Sequence, residues 1–245
     1  MRSLLIAAGA SSLLALSAAQ AFSQDGAVTR DEVGQIVRDY LLENPEILIE
    51  MQTILEARQK QEQQAAQEEI IAQSSTTLFD SGYDGIVGNP DGDVTVVEFF
   101  DYNCGYCKRA LADMEALVEE NPNLRFVLKE FPILGPDSQK AHIVSMAFRK
   151  LMPEKYGEFH AQLLGSTGRA DEASAIQIAV GLGADEAALR EAMKDDAILA
   201  AISETYELAN KLQITGTPSY VVGKELVFGA QGKDALSEKI KTATQ

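Results

Sequence analysis

The sequence predicts an α/β fold: a β-α-β unit, a block of helices, then β-β-α, with a helical extension in front. Three observations predict it. The run Val94-Thr95-Val96-Val97-Glu98-Phe99-Phe100 has the β-branched and aromatic composition of a buried strand. From Lys108 to Glu120 an amphipathic helix follows, with Leu111, Met114, Leu117 and Val118 on one face. Residues 138–212 then keep helical spacing almost throughout, and strand composition returns only after them.

Taken in order, Met1 to Ala21 reads as a secretory signal. Arg2 precedes an apolar stretch from Leu4 to Ala19, and Ala19-Gln20-Ala21 fits the cleavage pattern. The stretch is short for a membrane span. The full sequence carries 21 basic and 37 acidic residues, a net charge of −16 that becomes −17 when Arg2 is removed. Such a charge argues against nucleic acid as a partner and against a polybasic membrane patch.

Residues 28–75 form the extension. Thr29-Arg30-Asp31-Glu32 fits a capping box, so a helix starts near Arg30. Val33, Ile36, Val37, Tyr40 and Leu41 follow at helical spacing. Asn44-Pro45 breaks that helix, and Pro45 suits the first turn of a second one. The second helix opens apolar, with Ile47, Leu48, Ile49, Met51, Ile54 and Leu55. From Glu56 it turns to Gln, Glu, Lys, Arg and Ala, good helix composition with little to bury. Residues 28–55 therefore read as a homo-oligomerisation element and 56–73 as an exposed stalk; docking of both helices on the chain's own core is the competing reading. A heptad through Ile47, Met51 and Ile54 fails at Arg58 and Gln61, which argues against a long coiled coil.

Residues 76–245 form the main domain. Thr76 to Val87 reads as a short strand and turn. After the strand and helix already described, Asn121-Pro122-Asn123 ends the helix and Leu124 to Lys129 alternates toward a second strand, completing a parallel βαβ unit. The helical insert has breaks at Met152-Pro153, Gly165 to Gly168 and Gly181-Leu182-Gly183, and Val144, Phe148, Leu151, Phe159, Leu163 and Leu164 supply its core faces. Ile214 to Val222 returns to strand, Lys224-Glu225 turns into Leu226-Val227-Phe228, and Lys233 to Lys241 closes as a helix.

Between the first strand and its helix lies Cys104-Gly105-Tyr106-Cys107, the only two cysteines in the chain. Strand, Cys-x-x-Cys, helix is the context of a redox motif. Cys104 at the helix N-terminus gains from unpaired N–H groups and the helix dipole, which depress a thiol pKa. Cys107, one turn on, can close a ring with it. Half a zinc site would need a second Cys or His pair, and His142 and His160 lie far off in sequence and read as ordinary helix residues. A structural disulfide is the remaining alternative.

Three features resemble the DsbA-like thiol–disulfide exchange proteins of the bacterial periplasm, which have a thioredoxin fold with an inserted helical domain. They are Glu98-Phe99-Phe100-Asp101-Tyr102-Asn103-Cys104-Gly105-Tyr106-Cys107, the helical insert in its expected place, and Gly216-Thr217-Pro218, which resembles the family's cis-proline loop. The chain departs from the oxidant DsbA type, which has Cys-Pro-His-Cys and Val before the cis-proline. Cys-Gly-Tyr-Cys and Thr-Pro resemble the disulfide isomerase DsbC, and the helical extension resembles the suppressor-of-copper-sensitivity proteins, ScsC.

The resemblance implies catalytic roles for Cys104, Cys107, Thr217, Pro218 and Glu98, and substrate contacts from Gly105, Tyr106, Thr217 and Gly216. Glu98 resembles the family's buried acid, a proton acceptor for Cys107, with Lys129 as its expected partner. No cofactor or metal is implied; the redox group is the Cys104–Cys107 disulfide. Without a histidine between the cysteines, a milder Cys104 and a more reducing pair are expected, with Thr217→Val shifting the pair toward oxidase behaviour. The expected function is a periplasmic disulfide isomerase or reductase acting on disulfide-containing or unfolded proteins, with a membrane thiol reductase or oxidase as redox partner. The alternatives are a dithiol oxidase and a protein holding Cu(I) between its two thiolates.

Overall fold

The computed structural model describes residues 28–243, and the chain divides after Arg58 into two compact units. The signal read at Met1 to Ala21 lies outside the described residues. Among the described residues, no helix is long and apolar enough to cross a membrane.

In the first unit, α1 (Arg30–Glu43) starts at the predicted capping box: Glu32 N–H donates to Thr29 Oγ1 at 3.3 Å and Thr29 N–H to Glu32 Oε2 at 2.8 Å. The Thr29 N–H holds the Glu32 carboxyl below its ordinary pKa. Asn44 ends α1, and α2 (Ile47–Gln73) begins two residues after Pro45, whose carbonyl accepts the Leu48 N–H. No residue of α1 is buried, and Ile36, Tyr40, Leu42, Leu48, Ile49 and Met51 stand more than half exposed.

The second unit is built on a five-stranded sheet of order β1-β3-β2-β4-β5: β1 (Gly85–Gly88), β2 (Val94–Phe100), β3 (Leu124–Glu130), β4 (Ser219–Val222) and β5 (Glu225–Phe228). Only β2 and β3 are parallel, joined by α4 (Gly105–Glu120) as the βαβ reading required. The side-chain alternation of β2 sorts two cores. Val96, Glu98 and Phe100 share one face; Val96 and Phe100 pack with Met114 and Leu117 of α4 and with the insert. Val97 and Phe99 on the other face pack with Leu78, Leu208, Leu212 and Ile214. The insert comprises α5 (Pro136–Leu151), α6 (Tyr156–Gly165), α7 (Glu172–Gly181), α8 (Glu186–Ala192) and α9 (Asp196–Lys211), and α10 (Lys233–Ala243) closes the chain. Gly85 lets the sheet edge meet the insert: a β-carbon there would stand 1.9 Å from the Tyr156 ring.

Five local expectations are corrected. The segment read as strand at Thr76 starts instead with a short helix, α3 (Ser75–Phe79), which puts Leu78 fully into the second core. The end of the stalk is not exposed: Ile71 is buried in that same core, with Ile70 packed against it. Leu151 points outward. The strand read from Ile214 shortens to β4, because Gln213 turns through positive φ and Ile214 N–H returns to Ala209 O at 2.8 Å. Lys129 does not pair with Glu98. The register sets Lys129 opposite Phe99, on the far face of the sheet, where its ammonium meets Asp84 and the Thr77 carbonyl.

Candidate active site

β2 ends at Phe100, a tight turn follows, and Cys104 caps α4 with extended backbone (φ −78°, ψ 114°). Its N–H donates to Asp101 O at 2.9 Å, which closes the turn. Both cysteines are free thiols: Cys104 is 7% exposed and Cys107 fully buried. The Thr217–Pro218 peptide bond is cis, and Thr217 O lies 3.1 Å from Cys104 Sγ. Gly216, one residue earlier, offers its carbonyl to Ser219 Oγ at 2.8 Å. Gly105 borders open space, and Tyr106 beside it is 59% exposed with the Arg109 guanidinium 4.3 Å above its ring centre.

The two thiols are driven apart in acidity. Hydrogen bonding from the Cys107 thiol, then from the Thr217 side chain and the N–H groups of Cys107 and Tyr106, outweighs burial and brings Cys104 down to about 5. The thiol form of Cys104 can donate to Thr217 O, but the thiolate rests on these other donors. Burial, the bond to Cys104 and the nearby Glu98 carboxylate push Cys107 far up. Cys104 is thus more acidic than the missing histidine suggested, because backbone and thiol donors supply the stabilisation. The expected effect of Thr217→Val reverses for the same reason. Loss of the Thr217 hydroxyl raises the Cys104 pKa, and a less stable thiolate makes the pair more reducing.

Glu98 is 1% exposed, and its Oε2 is buried with no hydrogen-bond partner. Burial raises its pKa to about 8, a hydrogen bond from Tyr220 lowers it, and the Cys104 charge raises it further. The structure therefore gathers Cys104, Cys107, Thr217 and Glu98, with Pro218 in the same loop.

Several residues went unread in the sequence. Tyr220 stands directly opposite Glu98 in the β2–β4 pairing; its position two residues after Pro218 in a strand was the available signal. Asp101 is fully buried, accepting from Leu134 N at 2.9 Å and Ser138 Oγ at 2.8 Å. Asn103 exchanges two hydrogen bonds of 2.8 Å with the backbone of Ala170, and Lys108 Nζ donates to Ser166 O at 2.6 Å. These tie the cysteine turn to the insert, and no spacing in the sequence linked positions so far apart. His142 and His160 are not ordinary helix residues: both are buried beside Tyr102.

Residues 95–241 match the family described as the DSBA-like thioredoxin domain, and residues 30–62 match the copper resistance protein ScsC N-terminal domain. A solved thioredoxin-like oxidoreductase from Silicibacter pomeroyi is 41% identical, with 69% of this chain and 96% of that one covered at a TM-score of 0.65. A linker-deletion mutant of Proteus mirabilis ScsC is 27% identical, with 91% and 98% covered at a TM-score of 0.68. A periplasmic thioredoxin-like protein from Salmonella enterica serovar Typhimurium is 26% identical, with 69% and 94% covered at a TM-score of 0.63. Among curated proteins, the Na(+)/H(+) antiporter NhaA 1 of Salinispora arenicola is 28% identical over 166 residues, 67% of this chain. The chain spans 25% of that antiporter's length.

Proposed function

Since the chain belongs to the family of DSBA-like thioredoxin domains and carries an ScsC N-terminal domain, we propose that this thiol–disulfide oxidoreductase is an exported disulfide isomerase and reductase. Its substrates are disulfide-containing or unfolded proteins of the periplasm, and a membrane thiol reductase keeps its cysteines reduced. The signal segment at Met1 to Ala21 and the likeness to a periplasmic relative support export.

In the proposed mechanism Cys104 attacks. Its thiolate, favoured above pH of about 5, displaces one sulfur of a substrate disulfide, which leaves as a thiolate, and a mixed disulfide forms. That step consumes the charge on Cys104. The charge is one of the causes that hold the Glu98 proton on, so Glu98 ionises more readily in the mixed disulfide, and its proton ends on the displaced substrate thiolate. The Glu98 carboxylate then takes the Cys107 proton. Cys107 attacks the Cys104 sulfur, the Cys104–Cys107 bond forms, and the substrate leaves with its second sulfur reduced. In isomerisation a substrate thiol takes the place of Cys107 and the protein leaves reduced. Thr217 and Gly216 pair with an extended substrate segment, while Gly105 and Tyr106 form the open rim beside Cys104.

The observation that carries the isomerase reading is the exposed apolar set on α1 and the start of α2. Ile36, Leu42, Leu48, Ile49, Met51, Ile54 and Leu55 are each at least 54% exposed in one chain. Association through residues 28–55 covers them, joins several catalytic domains and lets a misfolded substrate be held while its disulfides exchange. One observation favours a second reading. A Cys104 value of about 5 stabilises the reduced pair and makes the disulfide oxidising, as a dithiol oxidase requires. The mass of the native particle tests the proposal: light scattering of the full chain at micromolar concentration gives an oligomer. A monomer contradicts the isomerase reading and moves the oxidase ahead.

A further inference from the structure

We infer that His142 is a positioning residue for the redox turn: it accepts the Tyr102 backbone N–H at Nε2 while Glu130 orients its ring. The residues just before Cys104 are held by one face of α5. Ser138, His142 and Ser145 recur there at helical spacing. Ser138 Oγ donates to Asp101 Oδ1 at 2.8 Å and accepts from Asn103 Nδ2 at 2.9 Å. Ser145 Oγ lies 2.8 Å from Tyr102 OH. Between them, Tyr102 N–H reaches His142 Nε2 at 3.3 Å.

This contact fixes the tautomer. Nε2 accepts only when it carries no proton, so the neutral ring holds its proton on Nδ1, where the Glu130 carboxylate receives it. Glu130 is itself held by Ser145 Oγ at 2.7 Å and Tyr156 OH at 3.0 Å. The titratable groups around His142 are Glu130 at the end of β3, Tyr102 after β2, and Tyr156 and His160 on α6; all are at most 3% exposed. A donor buried to this depth is costly to leave unpaired, so an unsupported Tyr102 N–H forces the turn to move. Cys104 lies two residues on, and its thiolate depends on standing over the N–H groups of Tyr106 and Cys107. His142 touches neither sulfur; it acts by keeping Cys104 over the helix end.

The test compares His142→Phe, which fills the space without an acceptor, with His142→Gln, which offers an oxygen in its place, both in the full chain. The readouts are ultraviolet titration of the Cys104 thiolate and equilibration of the pair with glutathione. In H142F the thiolate fraction near pH 5 falls roughly threefold and the potential becomes more reducing, while H142Q stays close to the parent. A folded H142F with parent titration and parent potential overturns the inference. If H142F does not fold, the nitrogen-15 shifts of His142 in the parent protein decide: the Nδ1–H tautomer supports it and the Nε2–H tautomer overturns it. The inference rests on the proposed role of Cys104, but the two fail separately. A parent Cys104 that titrates like an ordinary thiol contradicts that role, and the tautomer and the potentials of the two variants still decide the case of His142.

Discussion

Glu98 and Tyr220 face each other across the β2–β4 pair, and the tyrosine hydroxyl bonds to a buried carboxyl within electrostatic reach of Cys107. Glu98→Gln keeps the size and removes the proposed proton acceptor. Resolution by Cys107 slows by at least about tenfold, while the first attack by Cys104 changes little. Stopped-flow separation of the two steps measures this; equal slowing of both removes Glu98 from the role. The same variant has a stability signature. The folded pKa of Glu98 is raised from the ordinary 4.5 to about 8. Its contribution is therefore fully present below pH 4.5 and is lost as pH rises through 8. The reduced E98Q protein gains stability over the parent across that window, by a few kcal/mol at the top and nothing at the bottom, as urea unfolding at stepped pH will show.

Thr217→Val removes a hydrogen bond that supports the Cys104 thiolate. Its Cys104 pKa rises and its potential in glutathione buffers becomes more reducing. A shift toward a more oxidising pair contradicts the assignment of that bond.

Alkylation separates the two cysteines. With Cys104 at about 5 and Cys107 pushed far above its ordinary value, reagent at pH 7 modifies Cys104 alone. The rate climbs through pH 5 and is level by pH 7, where an ordinary thiol would keep accelerating toward 9. Mass spectrometry of the labelled peptides reads both points.

Asp84→Asn strands the Lys129 ammonium, which is 2% exposed and has Asp84 as its charged partner. Burial raises Asp84 to about 7, so the test belongs at pH 8, where Asp84 is charged. The variant loses about 3 kcal/mol in urea unfolding, and the double change Asp84→Asn with Lys129→Met recovers most of it.

The catalytic frame was legible because it is local. A β-branched run, two cysteines and an amphipathic helix stand in unbroken succession, and the capping box at Thr29 and Glu32 fixes α1 within four residues. What stayed hidden is set by pairings between distant segments. Lys129 and Glu98 sit on strands that do pair, but a one-residue offset sends their side chains to opposite faces. Ser75 to Phe79 carries two threonines that favour a strand, yet burying Leu78 decides for a helix. Ile70 and Ile71 are two apolar residues at the end of a polar helix, too few to signal that they enter a core. His142 offers no spacing clue, because its partners lie 12 and 40 residues away.

The claim that association makes this oxidoreductase an isomerase is tested most directly by reactivation of scrambled ribonuclease. The comparison is between the parent chain and the double variant Met51→Glu, Ile54→Glu, which places charges in the exposed apolar set and leaves Ile70 and Ile71 in the core. Each apolar side chain covered in an assembly contributes roughly 1.5–3 kcal/mol, so two charges repeated in every copy are enough to undo it. The predicted result is a monomeric variant that reduces insulin as the parent does and loses most of its ribonuclease reactivation. A monomeric variant that reactivates ribonuclease as well as the parent would contradict the account.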